Sequence, residues 1–328
     1  MPDTMRQWWT VPGLDGGVSE LRRVPVPEPG EGEVLVKVAG AGVNRGELIG
    51  RPALRSSNPN ARAAPSGNEF AGRVAAVGKG VSGWQEGDRV MGRGRACQAD
   101  YTVAPAAALM AVPDGLSDEQ AAAIPNVFVT AHDAIVTAAQ TGKDDAVLIT
   151  AGSSGVGTAA IQIARFLGCR AVVATTTSPA KAVALQNLGA THVIDTSADG
   201  WPAAVTETAG PVDVVIDQVG GRLFPGLLEA MAIGGRYVSV GRNDGAHASI
   251  DLDLVARQRL HLVGVTFRTR TPAETLACSQ RFAEDLLEGF SNGALKPVLD
   301  RAFPLENLPD AHAYMLSNAQ FGKIVLTP

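Results

Sequence analysis

A chain of 328 residues with 45% hydrophobic and 19% charged residues can bury a substantial core, and its length fits two domains of ordinary size. A formal net charge of −5 excludes the basic footprint of a nucleic-acid binder. Cys97, Cys169 and Cys278 are scattered, so neither a disulfide framework nor a structural zinc knuckle is expected. The N-terminus has no apolar signal core, and no apolar run approaches the roughly 18 residues of a membrane span. The expectation is a cytoplasmic protein with neither nucleic-acid nor membrane partners.

Residues 1 to 120 read as mostly β. Short β-prone runs at 33–38, 72–77 and 88–91 alternate with turn segments at 25–29, 78–83 and 92–94, the spacing of a barrel-like or sandwich-like domain. The polar, alanine-rich stretch 52–65 is expected to be a mobile loop. Ser117, Asp118 and Glu119 mark a helix start. Strands and helices then alternate. Strands are predicted at 146–150, 171–174, 192–194, 212–216 and 236–240. Helices are predicted at 156–167, stopping at Gly168, from Ser178 and Pro179 to Leu188, and over 221–232. This alternation predicts a parallel sheet covered by helices on both faces. An amphipathic helix at 273–289 and short strands near 297–303 and 323–326 follow, and the last two can return to the first domain. The fold class is α/β, with the split placed near 122 and 265.

The strongest chemical signal is Thr150-Ala-Gly-Ser-Ser-Gly-Val-Gly157, between a predicted strand and a predicted helix. A pyrophosphate needs backbone N–H donors at a helix N-terminus and small residues that let the chain approach. Gly152, Gly155 and Gly157 meet that need, Ser153 and Ser154 add hydroxyl donors, and Val156 completes the cofactor-binding loop, although strict G-x-G-x-x-G spacing would require glycine at 154. At the end of the next strand, where an NAD site places an acidic residue, stand Thr175, Thr176, Thr177 and Ser178, with Lys181 one turn on. Hydroxyls plus an ammonium suit a 2′-phosphate, which favours NADPH over NADH. The alternative is that these hydroxyls merely cap a turn and Lys181 is solvated.

Several segments in order resemble the medium-chain dehydrogenase/reductase family, in its zinc-free quinone oxidoreductase branch. They are Ala41-Gly-Val-Asn-Arg-Gly-Glu47, Gly67-Asn-Glu-Phe-Ala-Gly-Arg-Val-Ala-Ala-Val-Gly78, Gly87-Asp-Arg-Val90, Thr130-Ala-His132, the glycine loop, Asp213-Val-Val-Ile-Asp-Gln-Val-Gly220, Gly234-Gly-Arg-Tyr-Val-Ser-Val-Gly241 and Gly322-Lys-Ile-Val-Leu326. The resemblance implies a GroES-like β domain built from 1–122 and 266–328 and a Rossmann domain over 123–265, with the nicotinamide in the cleft between them. It also implies a homodimer through sheet edges near 262–268. By the same resemblance, Thr130, Gln218, Val219, Gly241, Arg242, Phe267 and Lys323 line the cofactor.

Zinc-dependent relatives carry Cys at the position of Asn44 and His at that of Asn68, and a cysteine-rich lobe where this chain holds only Cys97. Asn is a poor zinc ligand, and Glu47 and Glu69 alone make a weak case, so no metal is expected. Without zinc, an electron-poor substrate needs the least help, which points to NADPH-dependent reduction of a quinone or an α,β-unsaturated carbonyl. Asn44 is the residue expected nearest the nicotinamide or the substrate carbonyl, with a backbone-tying role as the other reading. Arg45 is read either as a contact for an acidic substrate tail or as solvated, and Arg242 as facing cofactor, substrate or solvent. Quinone-reducing relatives often have a tyrosine where this chain reads Leu48, Ile49 and Gly50. The competing functions are an enoyl-thioester reductase of the acryloyl- or crotonyl-CoA type and a non-catalytic NADPH-binding protein.

Overall fold

The computed structural model describes residues 1–49 and 51–328, so Gly50 lies outside the described residues. In chain order the strands are β1 (Thr4–Val11), β2 (Val18–Pro25), β3 (Glu33–Val43), β4 (Ala64–Pro65), β5 (Glu69–Val77), β6 (Arg89–Arg93), β7 (Tyr101–Pro105), β8 (Leu109–Ala111), β9 (Ala146–Ile149), β10 (Ala171–Thr176), β11 (His192–Asp195), β12 (Val212–Asp217), β13 (Met231–Ser239), β14 (His261–Gly264), β15 (Leu299–Pro304) and β16 (Lys323–Thr327).

The chain divides into two compact units. The first comprises 1–126, 279–292 and 296–328, and the second 127–278 and 293–295. Residues 266–278, which the sequence reading assigned to the first domain, lie in the second unit.

In the first unit, β15-β16-β3-β5-β6-β8 form one sheet, with β7 also on β3, and β2-β1-β4 form another. β3 is the hub, because its pairing with β16 joins the two ends of the chain. Phe70, Val36, Ile324 and Leu326 from three of these strands share the core, and the helix Leu308–Leu316 adds Leu308, Ala311 and Met315. The stretch 52–65, expected to be a mobile loop, is held in place. Gly13 N–H donates to Leu54 O, Ser56 N–H donates to Gly13 O, and β4 pairs with β1. The turn between β1 and β2 supplies Gly13 and β1 supplies Trp9 and Thr10, distant partners that the composition of 52–65 does not reveal.

In the second unit, six strands lie in the order β11-β10-β9-β12-β13-β14, all parallel. This is a doubly wound sheet whose order reverses between β9 and β12. β9 and β10 are buried along their whole length, as the uninterrupted apolar run AVLI requires of a strand covered on both faces. The helix Gly155–Phe166 ends as its sequence predicts. Gly168 takes φ +75° and Cys169 N–H bonds back to Ala164 O, which a residue with a Cβ would resist. The segment 221–232, predicted as one helix, is shorter. It is a 3-10 turn at Gly221–Leu223 and a helix at Phe224–Glu229, after which β13 begins. Gly221 at φ +52° and Pro225 in the first helical turn keep a continuous α-helix from starting earlier. Among the described residues no helix is long and apolar enough to cross a membrane.

Candidate functional site

The sheet of the second unit presents the carboxyl ends of its strands at the switch point, where open α/β folds bind ligands. The loop after β9 leads directly into the helix Gly155–Phe166. Ser154 is its N-cap, accepting from Gly157 N–H at 3.0 Å. The N–H groups of Gly155 and Val156 have no acceptor among the described residues, and the first turn carries no acid. Two backbone donors at the positive end of a twelve-residue helix therefore remain for an anion.

The Ser154 hydroxyl, expected as a ligand donor, instead donates to Gln218 Oε1 at 2.7 Å. Gln218 in turn donates to Thr150 O at 2.9 Å, so its side chain braces the loop from the end of β12. Beneath it, the fully buried Asp217 accepts from Thr150 Oγ1, the N–H groups of Val219 and Gly220, and Tyr237 Oη at 2.5 Å. Burial, with Asp217 adding to it, pushes the Tyr237 phenol far up, so it stays a donor. Tyr237→Phe is expected to cost about 1.5–3 kcal/mol, the range for a hydrogen bond to a carboxylate. Thermal unfolding measured alongside wild type checks this.

At the end of β10, Thr175 and Thr176 are buried. Thr175 Oγ1 accepts from Ala151 N–H, and Thr176 Oγ1 both accepts from Ser178 N–H and donates to Ser178 O. Thr177 is exposed, the Ser178 hydroxyl makes no capping bond, and Lys181 is half-buried on the following turn. Gly241 and Arg242 follow β13, and Arg242 is exposed. Thr130 is half-buried on the helix Pro125–His132. Phe267 lies under the Arg270 guanidinium, 4.7 Å from ring centroid to carbon, and Arg270 is ion-paired with buried Asp133 at 2.6 Å.

The first unit holds a second polar centre, buried where β3, β5 and β16 meet. Lys323 Nζ donates to Glu69 Oε1 at 2.6 Å, to Asn44 Oδ1 at 2.8 Å and to Val43 O at 2.9 Å. Glu69 is fully buried, and Gly42 is required beneath it because a Cβ there would stand 2.1 Å from Glu69 Oε1. Asn44 also accepts from Asn126 Nδ2 at 2.8 Å, and it donates to Glu69 Oε1 at 2.8 Å and to Glu47 Oε1 at 3.4 Å. Both lone pairs and both N–H groups of Asn44 are therefore occupied. The Lys323 ammonium, with three protein acceptors, has no donor left for a ligand.

Glu47 Oε2 accepts from Gln98 Nε2 at 2.8 Å and lies 3.7 Å from His312 Nε2. Sequence spacing gave no reason to join Gln98, Asn126 or His312 to this centre, because they meet only through strand pairing and helix packing. Arg45 is half-buried rather than solvated. It donates to Met315 O at 2.7 Å and to Asn318 Oδ1 at 2.6 Å, placing a cation at the C-terminal end of the helix Leu308–Leu316.

A GroES-like β unit combined with a doubly wound nucleotide-type unit is the architecture of two-domain dehydrogenases and reductases. A family model described as alcohol dehydrogenase GroES-like domain matches residues 30–131, and one described as zinc-binding dehydrogenase matches residues 155–284. The chain is 32% identical to a quinone oxidoreductase of Rattus norvegicus, over 92% of this chain and 91% of that protein. It is 33% identical to the spectinabilin polyketide synthase system protein NorB of Streptomyces orinoci over 99% of this chain, but spans only 15% of NorB. Among solved structures, a mycobacterial protein complexed with NADPH superposes with a TM-score of 0.87 at 28% identity, covering 99% of this chain and 100% of that one. The CurK enoyl reductase superposes with a TM-score of 0.86 at 26% identity, covering 99% of each chain. The chain belongs to the medium-chain dehydrogenase/reductase family of oxidoreductases.

The residues present do not fit the zinc named in one family description. Asn44 has its hydrogen-bonding capacity filled, and Glu69 is neutralised by an ammonium that would repel a cation. Cys97 is fully buried, and burial pushes its thiol far above the ordinary range. Among the described residues no group of three His, Cys, Asp or Glu is placed to hold a metal.

Proposed function

We propose that the chain is a zinc-independent, NADPH-dependent reductase of quinones or α,β-unsaturated carbonyl compounds, working as a cytoplasmic homodimer. The observation that carries the reading is the helix N-terminus at Gly155, with two unpartnered N–H groups, no acid in its first turn and none at the end of β10. Gly155 and Val156 would hold the pyrophosphate through their N–H groups, with Gly157 allowing the close approach of loop and helix, and Thr177, Ser178 and Lys181 would hold the 2′-phosphate. When bound, the coenzyme supplies hydride. Asn44, whose hydrogen-bonding capacity is filled, and Glu69, paired with Lys323, are poorly suited to hold a metal, which favours substrates whose carbon–carbon double bond or quinone ring is already electron-poor. The outer edge of β14 has no strand partner among the described residues, and with Leu262 44% exposed it supports pairing with a second copy. Sedimentation at twice the chain mass is the expected result.

The similarity to NorB and to the CurK enoyl reductase favours a second reading within the same chemistry, an enoyl-thioester reductase. The test is loss of the reduced-nicotinamide absorbance with p-benzoquinones, simple enones and crotonyl-CoA, each with NADPH and with NADH. Turnover of a quinone or enone with NADPH supports the first reading, and preference for crotonyl-CoA the second. Tight NADPH binding without turnover of any acceptor would leave a coenzyme-binding protein and sink both.

A further inference from the structure

We propose that Gln218 is a positioning residue for coenzyme binding: its side-chain amide grips both ends of the glycine loop and so holds the Gly155 and Val156 N–H groups in place for the pyrophosphate. The proposal rests on the coenzyme reading above and names the residue that organises that site.

The amide of Gln218 is only 5% exposed and reaches across the point where the strand order reverses, from the end of β12 to the loop that follows β9. At the start of that loop its Nε2 donates to Thr150 O at 2.9 Å. At the far end its Oε1 accepts from Ser154 Oγ at 2.7 Å. Ser154 Oγ in turn accepts from Gly157 N–H at 3.0 Å, so its single proton is committed to Gln218 and is not available to a phosphate. The two partners fix the amide's orientation, because a carbonyl demands an N–H opposite it and a donating hydroxyl demands an oxygen.

Between these two points the loop needs holding. Ala151 stands at φ +48°, a left-handed conformation that a residue with a Cβ keeps only where its surroundings enforce it. Ala151 N–H has one further tie, to Thr175 Oγ1 at 3.3 Å. Without the grip at Thr150 and Ser154, Ala151 would relax toward negative φ and swing the helix end away from an anion.

Gln218 is itself firmly seated. Its N–H donates to Thr150 Oγ1 at 2.8 Å, and that hydroxyl donates to the fully buried Asp217 at 2.8 Å. Gly241 packs directly on its backbone, where a Cβ would stand 2.4 Å from Gln218 O. A site fixed in this way binds its anion without first ordering the loop.

The test measures NADP⁺ affinity by calorimetry between pH 5.5 and 8.5 for wild type, Gln218→Met and Gln218→Glu. Each variant is expressed relative to wild type at the same pH, which cancels titration of the coenzyme's own 2′-phosphate. Gln218→Met keeps the bulk and loses both hydrogen bonds, and it is expected to bind about five- to tenfold more weakly at every pH. Gln218→Glu should bind no better than Gln218→Met at pH 8.5, because an ionised carboxylate has no proton for Thr150 O. At pH 5.5 it should bind more tightly than Gln218→Met, because the protonated carboxyl donates to Thr150 O while accepting from Ser154, and burial raises the pKa of the introduced group. Loosened packing would give no such recovery. Melting without coenzyme separates unfolding from lost binding, and Gln218→Glu reads the same bond should Gln218→Met not fold. Wild-type affinity in Gln218→Met would overturn the proposal, as would a Gln218→Glu variant whose relative affinity stays low at every pH. A wild-type protein that binds neither NADP⁺ nor NADPH would remove the coenzyme reading itself, and the proposal with it.

Discussion

Lys323→Met is expected to destabilise the first unit by about 3–5 kcal/mol, the cost of leaving one partner of a buried ion pair uncompensated. Glu69, fully buried, would bear that loss. Among the described residues Lys323 is its one cationic contact, at 2.6 Å, and the carboxylate is otherwise held by the Asn44 amide and by Asn126 N–H at 2.7 Å. The damage would extend to Asn44, whose Oδ1 loses one of its two donors. Adding Glu69→Gln should recover most of the loss, because a neutral amide can still accept from Asn126 without stranding a charge. Denaturant unfolding followed through the buried Trp8, which lies in the core of the same unit, reads both variants. A single Lys323→Met variant as stable as wild type would show that the ion pair contributes nothing net.

Gly157→Ala is expected to weaken NADPH binding by about 10- to 100-fold, or about 1.4–2.7 kcal/mol. An added Cβ would stand 2.3 Å from Ala151 O and 2.7 Å from Gly152 O, both backbone atoms that cannot swing aside. The first turn of the helix would have to withdraw from the loop, carrying the free N–H groups of Gly155 and Val156 away from an anion. The Ser154 bond to Gly157 N–H would lengthen, releasing the brace from Ser154 to Gln218. Fluorescence titration with NADPH measures the change. Unchanged affinity would mean that the pyrophosphate does not sit on this helix end.

Local rules carried the second unit. Apolar runs such as AVLI, glycine stops at Gly168 and Gly189, and the loop from Thr150 to Gly157 act through contacts a few residues apart, so the parallel sheet and its ligand-facing end were readable. Boundaries failed where backbone geometry competed with composition, as at Gly221 and Pro225. The roles of individual loop residues were also hidden. Ser154 and Gln218 look like ligand donors in a motif, yet each is the other's partner.

The first unit was harder to read because its centre is assembled from distant parts of the chain. Asn44, Glu47, Glu69, Gln98, Asn126, His312 and Lys323 span nearly its whole length, and no spacing rule connects them. By itself the sequence determined the class of fold, the glycine loop with its open helix end, and the absence of an acid at the end of the second parallel strand. Only the tertiary structure decided that Asn44 is locked in place by its neighbours. Hydrogen-bond capacity is fixed by neighbours brought together through strand pairing, and residue type alone does not record how many of its donors are already taken.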